Sequence, residues 1–196
     1  MVEEEADEVV NDAMTYDQIW LIGFSGTGKS RLVRPIATAL DWQALDMDTL
    51  IEEEAGENVR AIFRRGGEDA FRAIETKIVE RVAEMKDVVI ATGGGSVLAE
   101  SNREAMKRRG FVVCLDAREE TIALRIQQSG AHISDRPLLE GDDPMAKIIA
   151  LKAERQPLYA QADFILQTDD LTPDQCTHQI LLAFRERQQH PVAGGA

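Results

Sequence analysis

The sequence predicts an α/β protein: three layers, α/β/α, built on a five-stranded parallel sheet. Three observations carry that expectation. The run Gly23-Phe24-Ser25-Gly26-Thr27-Gly28-Lys29-Ser30 fits the phosphate-binding pattern G-x-x-x-x-G-K-[ST] at every fixed position, and it stands between a short apolar run and a helical segment, the context such a loop needs. Val88-Val89-Ile90-Ala91 is continuously apolar, as expected of a parallel strand covered on both faces. Short apolar runs then alternate with amphipathic helical stretches along the chain, the pattern of helices packed on both sides of a parallel sheet.

In chain order, Ile19-Trp20-Leu21-Ile22 is the first strand, and the segment after the glycine-rich loop is helical to Leu40. Gln43 to Leu45 reads as a second strand ending in Asp46-Met47-Asp48, with a helix from Thr49 to about Ala55. Gly56-Glu57-Asn58 interrupts, Val59 to Arg65 is helical, and Gly66-Gly67 breaks it. Glu68 to Met85 is a long amphipathic helix, with Phe71, Ile74, Ile78 and Val82 at helical spacing. The strand at 88–91 runs into Thr92-Gly93-Gly94-Gly95. Ser101 and Glu104 predict a capping box for the next helix. Phe111 to Leu115 is a fourth strand and Glu119 to Gln128 a helix. Ser129 to Asp143 is polar and contains glycine, which predicts a mobile loop. Asp143-Pro144 predicts an N-cap with proline at the first helical position and a helix to about Tyr159. Phe164 to Leu166 is the fifth strand, and Thr172-Pro173 opens the last helix, with a frayed tail expected from about Gln188 onward.

Composition bounds the rest. The 196 residues suit one domain, with the folded part expected over 16–188, tails at 1–15 and 189–196, and a lid at about 129–143. No apolar stretch reaches the roughly 20 residues of a membrane span. The start of the chain, Met1-Val2-Glu3-Glu4-Glu5, is acidic, the opposite of a targeting peptide. Cys114 and Cys176 are far apart, without metal-ligand spacing, so reduced thiols and a cytoplasmic setting are expected. The net charge is −13, part of it in Glu3, Glu4, Glu5, Asp7, Glu8 and Asp12, which have no basic neighbour within residues 1–12. That segment reads as a disordered acidic tail. So acidic a chain argues against nucleic-acid binding, which needs clustered Lys and Arg. It also implies that the cations serving a bound nucleotide are gathered in one cleft.

The chemistry concentrates at the carboxyl ends of three strands. In the glycine-rich loop, Gly26, Thr27 and Gly28 would present backbone N–H groups to phosphate. Lys29 would reach the β- and γ-phosphates and Ser30 would sit on Mg²⁺, with Arg31 following in the same nucleotide-binding turn. Asp46 and Asp48, separated by one residue, can face one side of the sheet if the strand alternation holds, one serving the Mg²⁺ shell and the other accepting a proton. Gly93, Gly94 and Gly95 directly after a buried strand permit close backbone approach to a ligand. Taken singly, Arg72, Arg136 and Arg155 read as ordinary surface charges.

As a set these motifs resemble the shikimate kinases, small P-loop kinases with a nucleoside monophosphate kinase-like fold and a mobile lid. The landmarks come in order: the phosphate loop; Asp46-x-Asp48 with Ile51-Glu52; Ile62-Phe63 before Gly67-Glu68; Phe71-Arg72 with Glu75; Gly93-Gly94-Gly95; Arg136-Pro137-Leu138-Leu139; and Arg155-x-Pro157-Leu158-Tyr159. The resemblance spans roughly Ile19 to Ile180. It implies ATP-dependent phosphorylation of the shikimate 3-hydroxyl on the way to chorismate and the aromatic amino acids, by a monomer. It also implies that Asp48 binds ring hydroxyls and acts as base, that Arg72 and Arg155 clamp the shikimate carboxylate, and that the glycine triplet contacts the ring. Asp46 would orient water on the Mg²⁺ held by Ser30, and Arg136 would close over the transferring phosphoryl group. The chain departs from the family where an arginine often stands seven residues before the lid arginine. That position is Ser129, and Arg125, four residues further back, is the candidate for the adenine contact. Two other readings remain open on the sequence: a P-loop kinase for another small hydroxy acid such as gluconate, and a nucleotide-binding module without turnover.

Overall fold

The computed structural model describes residues 16–128, 137–139 and 143–190. The acidic tail expected at 1–15, most of the lid expected at 129–143 with Ser129 and Arg136, and residues 191–196 lie outside the described residues.

Five strands form one sheet: β1 (Gln18–Ile22), β2 (Gln43–Asp46), β3 (Val88–Ala91), β4 (Gly110–Asp116) and β5 (Phe164–Gln167). Their order is β2-β3-β1-β4-β5 and every pairing is parallel. The carboxyl ends of β2, β3 and β1 are therefore side by side, which places the Asp46 region, the glycine triplet and the phosphate loop on one edge. The helices are α1 (Lys29–Leu40), α2 (Met47–Ala55), α3 (Val59–Val82), α4 (Glu100–Arg109), α5 (Glu119–Gln128), α6 (Pro144–Tyr159) and α7 (Pro173–Gln189).

Strand alternation sorts the core into two sides. Ile19 and Leu21 of β1 join Leu32 and Ile36 of α1 and Ile180 and Phe184 of α7. Trp20 and Ile22 point the other way, towards Ile51 of α2, Ile78 of α3, Met106 of α4 and Ile122 of α5. This is the three-layer arrangement expected: β1, β3 and β4 bury both faces, while the edge strands β2 and β5 are partly exposed. Gln18, itself buried, caps the end of α3: its Nε2 donates to the carbonyls of Ala83 at 2.9 Å and Met85 at 2.6 Å, while its Oε1 accepts from the Trp20 indole at 2.9 Å.

Most boundaries fall where the local chemistry puts them. Asp143 accepts from the Ala146 N–H and caps α6, and Thr172 with Gln175 forms a reciprocal capping box on α7. The expected break at Gly66-Gly67 survives as a kink within α3, where Gly67 has φ 71° and ψ −168°. Three expectations are corrected. The capping box of Ser101 and Glu104 does not form: α4 starts at Glu100 after Ala99, with no side-chain cap, so Ser101 falls inside the first turn. α2 starts at Met47 rather than Thr49, because Asp46 caps it. The last helix continues through Gln189, and Gln188 is anchored rather than frayed: its Oε1 accepts from the Tyr16 N–H at 3.0 Å and its Nε2 donates to the Tyr16 carbonyl at 2.6 Å.

Candidate active site

The phosphate loop joins β1 to α1. Gly28 has φ 107°, a left-handed conformation that a side chain would strain, and no side chain caps the helix behind it. The amino end of α1 is thus open to an anion, with its dipole favouring negative charge. Thr27 Oγ1 donates to the Phe24 carbonyl at 2.8 Å and closes the loop on itself. Lys29, 7% exposed, folds over the loop and donates from Nζ to the carbonyls of Gly23 at 2.7 Å and Phe24 at 2.8 Å.

Asp46 ends β2 and caps α2, its Oδ1 accepting from the Asp48 N–H at 3.0 Å. Asp48 is in the first turn of that helix. The two carboxylates are therefore related by a strand-to-helix turn and not by alternation along a strand, as the sequence suggested. Water reaches Asp48 along the cleft, yet its pKa is pushed up to about 6. The surrounding protein desolvates the carboxylate, and Asp46, Glu75 and Glu52 add like charge; Lys29 pulls the other way.

Arg72, from α3, is held by two glutamates. Its Nη1 donates to Glu75 Oε2 at 2.6 Å, and its Nη2 and Nε donate to Glu68 Oε1 at 2.9 and 3.1 Å. Burial would depress the guanidinium, but Glu75 and Glu68 overturn that and raise its pKa. Glu75, fully buried, also accepts a short hydrogen bond from Ser96 Oγ. A Cβ added at Gly95 would stand 2.1 Å from Arg72 Nη2, so that glycine makes room for the guanidinium.

Arg155, from α6, is 5% exposed with its guanidinium 5.7 Å from the centre of the Phe24 ring. Its buried Nε has no hydrogen-bond partner among the described residues. One turn on, the Tyr159 hydroxyl donates to the Gly94 carbonyl at 2.6 Å. Arg125, from α5, donates from Nη1 to Thr168 Oγ1 at 2.8 Å and from Nη2 to the Thr168 carbonyl at 2.6 Å, which brings it against the phosphate loop through Thr27.

These groups surround two adjoining cavities. The larger, of about 670 Å³, is lined by the loop residues Gly26, Thr27, Gly28, Lys29, Ser30 and Arg31 and extends to Arg125 and Pro173. The smaller, of about 120 Å³, is lined by Arg72, Gly95, Arg155, Phe63, Leu138 and Leu139. Ser25, Asp48, Gly93 and Gly94 line both. One cavity suits an elongated polyphosphate ligand, and the other a compact one presented to two guanidinium groups. Asp48 stands where they meet.

The family model described as shikimate kinase matches residues 25–185. The chain belongs to the shikimate kinase family. A curated shikimate kinase of Symbiobacterium thermophilum is 42% identical over 170 residues, which cover 86% of this chain and 97% of the relative. That of Moorella thermoacetica is 44% identical over 151 residues, covering 77% and 84%. Among solved structures, a shikimate kinase from Acinetobacter baumannii in complex with shikimate aligns with a TM-score of 0.83 at 32% identity, over 89% of this chain and 96% of that one. The fold is the nucleoside monophosphate kinase-like P-loop fold of those shikimate kinases, and the chain is a phosphotransferase that uses ATP.

As a shikimate kinase the chain places all but two of the expected site residues on the two cavities. Asp46 lines neither, its Oδ1 being engaged in the cap of α2, and Arg136 lies outside the described residues. Sequence reasoning gave no role to Glu75, Tyr159, Phe24 or Thr168. Glu75 and Tyr159 stand inside family motifs, but nothing local tells that one pairs with Arg72 and the other reaches Gly94.

Proposed function

We propose that the chain transfers the γ-phosphoryl group of ATP to the 3-hydroxyl of shikimate, the larger cavity taking ATP and the smaller the acceptor. The observation that carries this reading is the common wall: Asp48, Gly93 and Gly94 face both cavities, so a hydroxyl in one can reach a terminal phosphate in the other. The acceptor oxygen attacks the γ-phosphorus, the bond from that phosphorus to the bridging oxygen breaks, ADP leaves, and the hydroxyl proton passes to Asp48. A carboxylate whose pKa is raised to about 6 remains ionised at neutral pH and is a better base than an ordinary aspartate. Arg72 and Arg155 present two planar guanidinium groups to the same small cavity, the arrangement that pairs with a carboxylate. Lys29 exchanges its loop carbonyls for phosphate oxygens and steadies the charge that spreads over them.

Mg²⁺ fits the donors present. Ser30 supplies a hydroxyl and Asp46 a carboxylate that the Asp48 N–H already orients. Hard oxygens in so small a number suit an ion that shares its shell with phosphates and water. The ion would neutralise phosphate charge. Arg125 serves the base end of the nucleotide. Leu138 and Leu139 line the acceptor cavity, which supports a lid at about 129–143 that carries Arg136 to the phosphoryl group. The protein works as a cytoplasmic monomer without nucleic-acid or membrane partners; among the described residues no helix is long and apolar enough to cross a membrane.

A coupled ADP-release assay tests the reading with shikimate, with gluconate and with no acceptor. Turnover with shikimate alone is expected. Turnover with gluconate would move the acceptor assignment, and none with either would reduce the chain to a nucleotide-binding module.

A further inference from the structure

Tyr159 is 2% exposed and ends α6. Its hydroxyl is 2.6 Å from the carbonyl oxygen of Gly94, a residue 65 positions away. A carbonyl only accepts, so the phenolic proton is committed to Gly94. Arg155 stands four residues earlier on the same helix. Burial raises the Tyr159 pKa, and the neighbouring Arg155 guanidinium, which only donates, opposes that rise. The hydroxyl therefore donates to Gly94, with Arg155 one helical turn away on α6.

We propose that Tyr159 is a positioning residue for the acceptor: its buried hydroxyl orients the Gly94–Gly95 peptide, and so sets the backbone wall of the acceptor cavity that faces Arg72 and Arg155. The proposal rests on the acceptor reading given above.

Two features show why the peptide needs holding. Residues 93–95 are three consecutive glycines, which leave the backbone unusually free to rotate. The same backbone is also wedged against the phosphate loop, since a Cβ added at Gly94 would stand 3.1 Å from the Ser25 nitrogen. In a planar trans peptide the N–H points opposite the C=O. Fixing the Gly94 carbonyl on Tyr159 thus fixes the Gly95 N–H on the other side, beside the space that Arg72 fills. Rotation of this one peptide would shift a wall that both cavities share.

Tyr159→Phe removes the hydroxyl and keeps the ring in its packing. Steady-state kinetics on wild type and variant are read against both substrates, with melting temperature and residue-level hydrogen exchange alongside. The expected result is a rise of roughly tenfold in the KM for shikimate, with the KM for ATP within about twofold. Amide exchange is expected to quicken at residues 94–96 while the rest of α6 keeps its protection. An unchanged shikimate KM overturns the proposal, and so do equal rises in both KM values or faster exchange along all of α6, each of which marks a purely structural tyrosine. Wild-type turnover of shikimate reports separately on the acceptor reading, so the two can fail independently.

Discussion

Arg72 and Glu75 form a pair, one turn apart on α3, in which the guanidinium Nη1 lies 2.6 Å from a carboxylate oxygen of a residue with no solvent exposure. The carboxylate is held from behind by Ser96, so the pair aims Arg72 from a fixed base. Glu75→Gln keeps the shape but removes the charge. A hydrogen bond to a charged partner is replaced by a neutral one, and stability should fall by about 1–3 kcal/mol. Arg72 should also lose its aim, so the KM for shikimate rises by roughly tenfold while that for ATP stays within about twofold. Chemical denaturation and steady-state kinetics read the two effects; a stability loss with no change in the shikimate KM would confine Glu75 to the core.

Gly95 tests the same arginine from the other side. Its backbone does not occupy the left-handed region, but a methyl group there would stand within 2.1 Å of Arg72 Nη2. The clash is with the end of a side chain and not with backbone, so Gly95→Ala should fold and melt within a few degrees of wild type. The displaced guanidinium should raise the shikimate KM by roughly tenfold or more. A melting temperature that collapses, or a shikimate KM that does not move, would argue against this account of the glycine.

Lys29 holds its own loop, through the carbonyls of Gly23 and Phe24. Both carbonyls are buried, but that of Phe24 keeps its bond from Thr27, so Lys29→Met should cost about 1–2 kcal/mol of stability. Its effect on kcat should be far larger, a loss of about 10²–10³-fold or more, since a preorganised cation facing developing charge is worth that much. Single-turnover rates with saturating ATP separate the chemical step from binding; near-normal rates would remove Lys29 from the chemistry.

Much of this is legible in the amino-acid sequence itself. The strand at Val88–Ala91 and the helices from Pro144 to Tyr159 and from Pro173 onward begin where a local signal sits: an unbroken apolar run, an Asp-Pro pair, a Thr-Pro pair. The phosphate loop was legible for the same reason, its chemistry being written in eight consecutive residues. The relation of Asp46 to Asp48 was not, because their spacing fits a strand, and only the cap on α2 shows that the chain has already turned. Ser101 carried the pattern of a cap and lost it to a helix that starts at Glu100. The contact between Tyr159 and Gly94 links segments 65 residues apart, and no periodicity marks a tertiary contact of that kind.

Asp48 ties function to stability through pH. Its pKa in the folded protein is about 6, against an ordinary value of 3.8. As the proposed base it must be ionised, so kcat/KM for shikimate should climb about tenfold per pH unit below 6 and level off above it, the limb reporting the free enzyme. Between about pH 4 and 6 the folded state holds a proton that the unfolded state has released. Stability therefore falls as pH rises through that window, and the whole deficit is present above 6. Asp48→Asn carries no such proton. It should melt higher than wild type at pH 7.5, with the gap closing as the pH is lowered towards 4, while kcat drops by about 10²–10⁴-fold. Calorimetry across that range reads the gap. A gap independent of pH would show that Asp48 does not titrate in the window, and would leave the activity limb to another group.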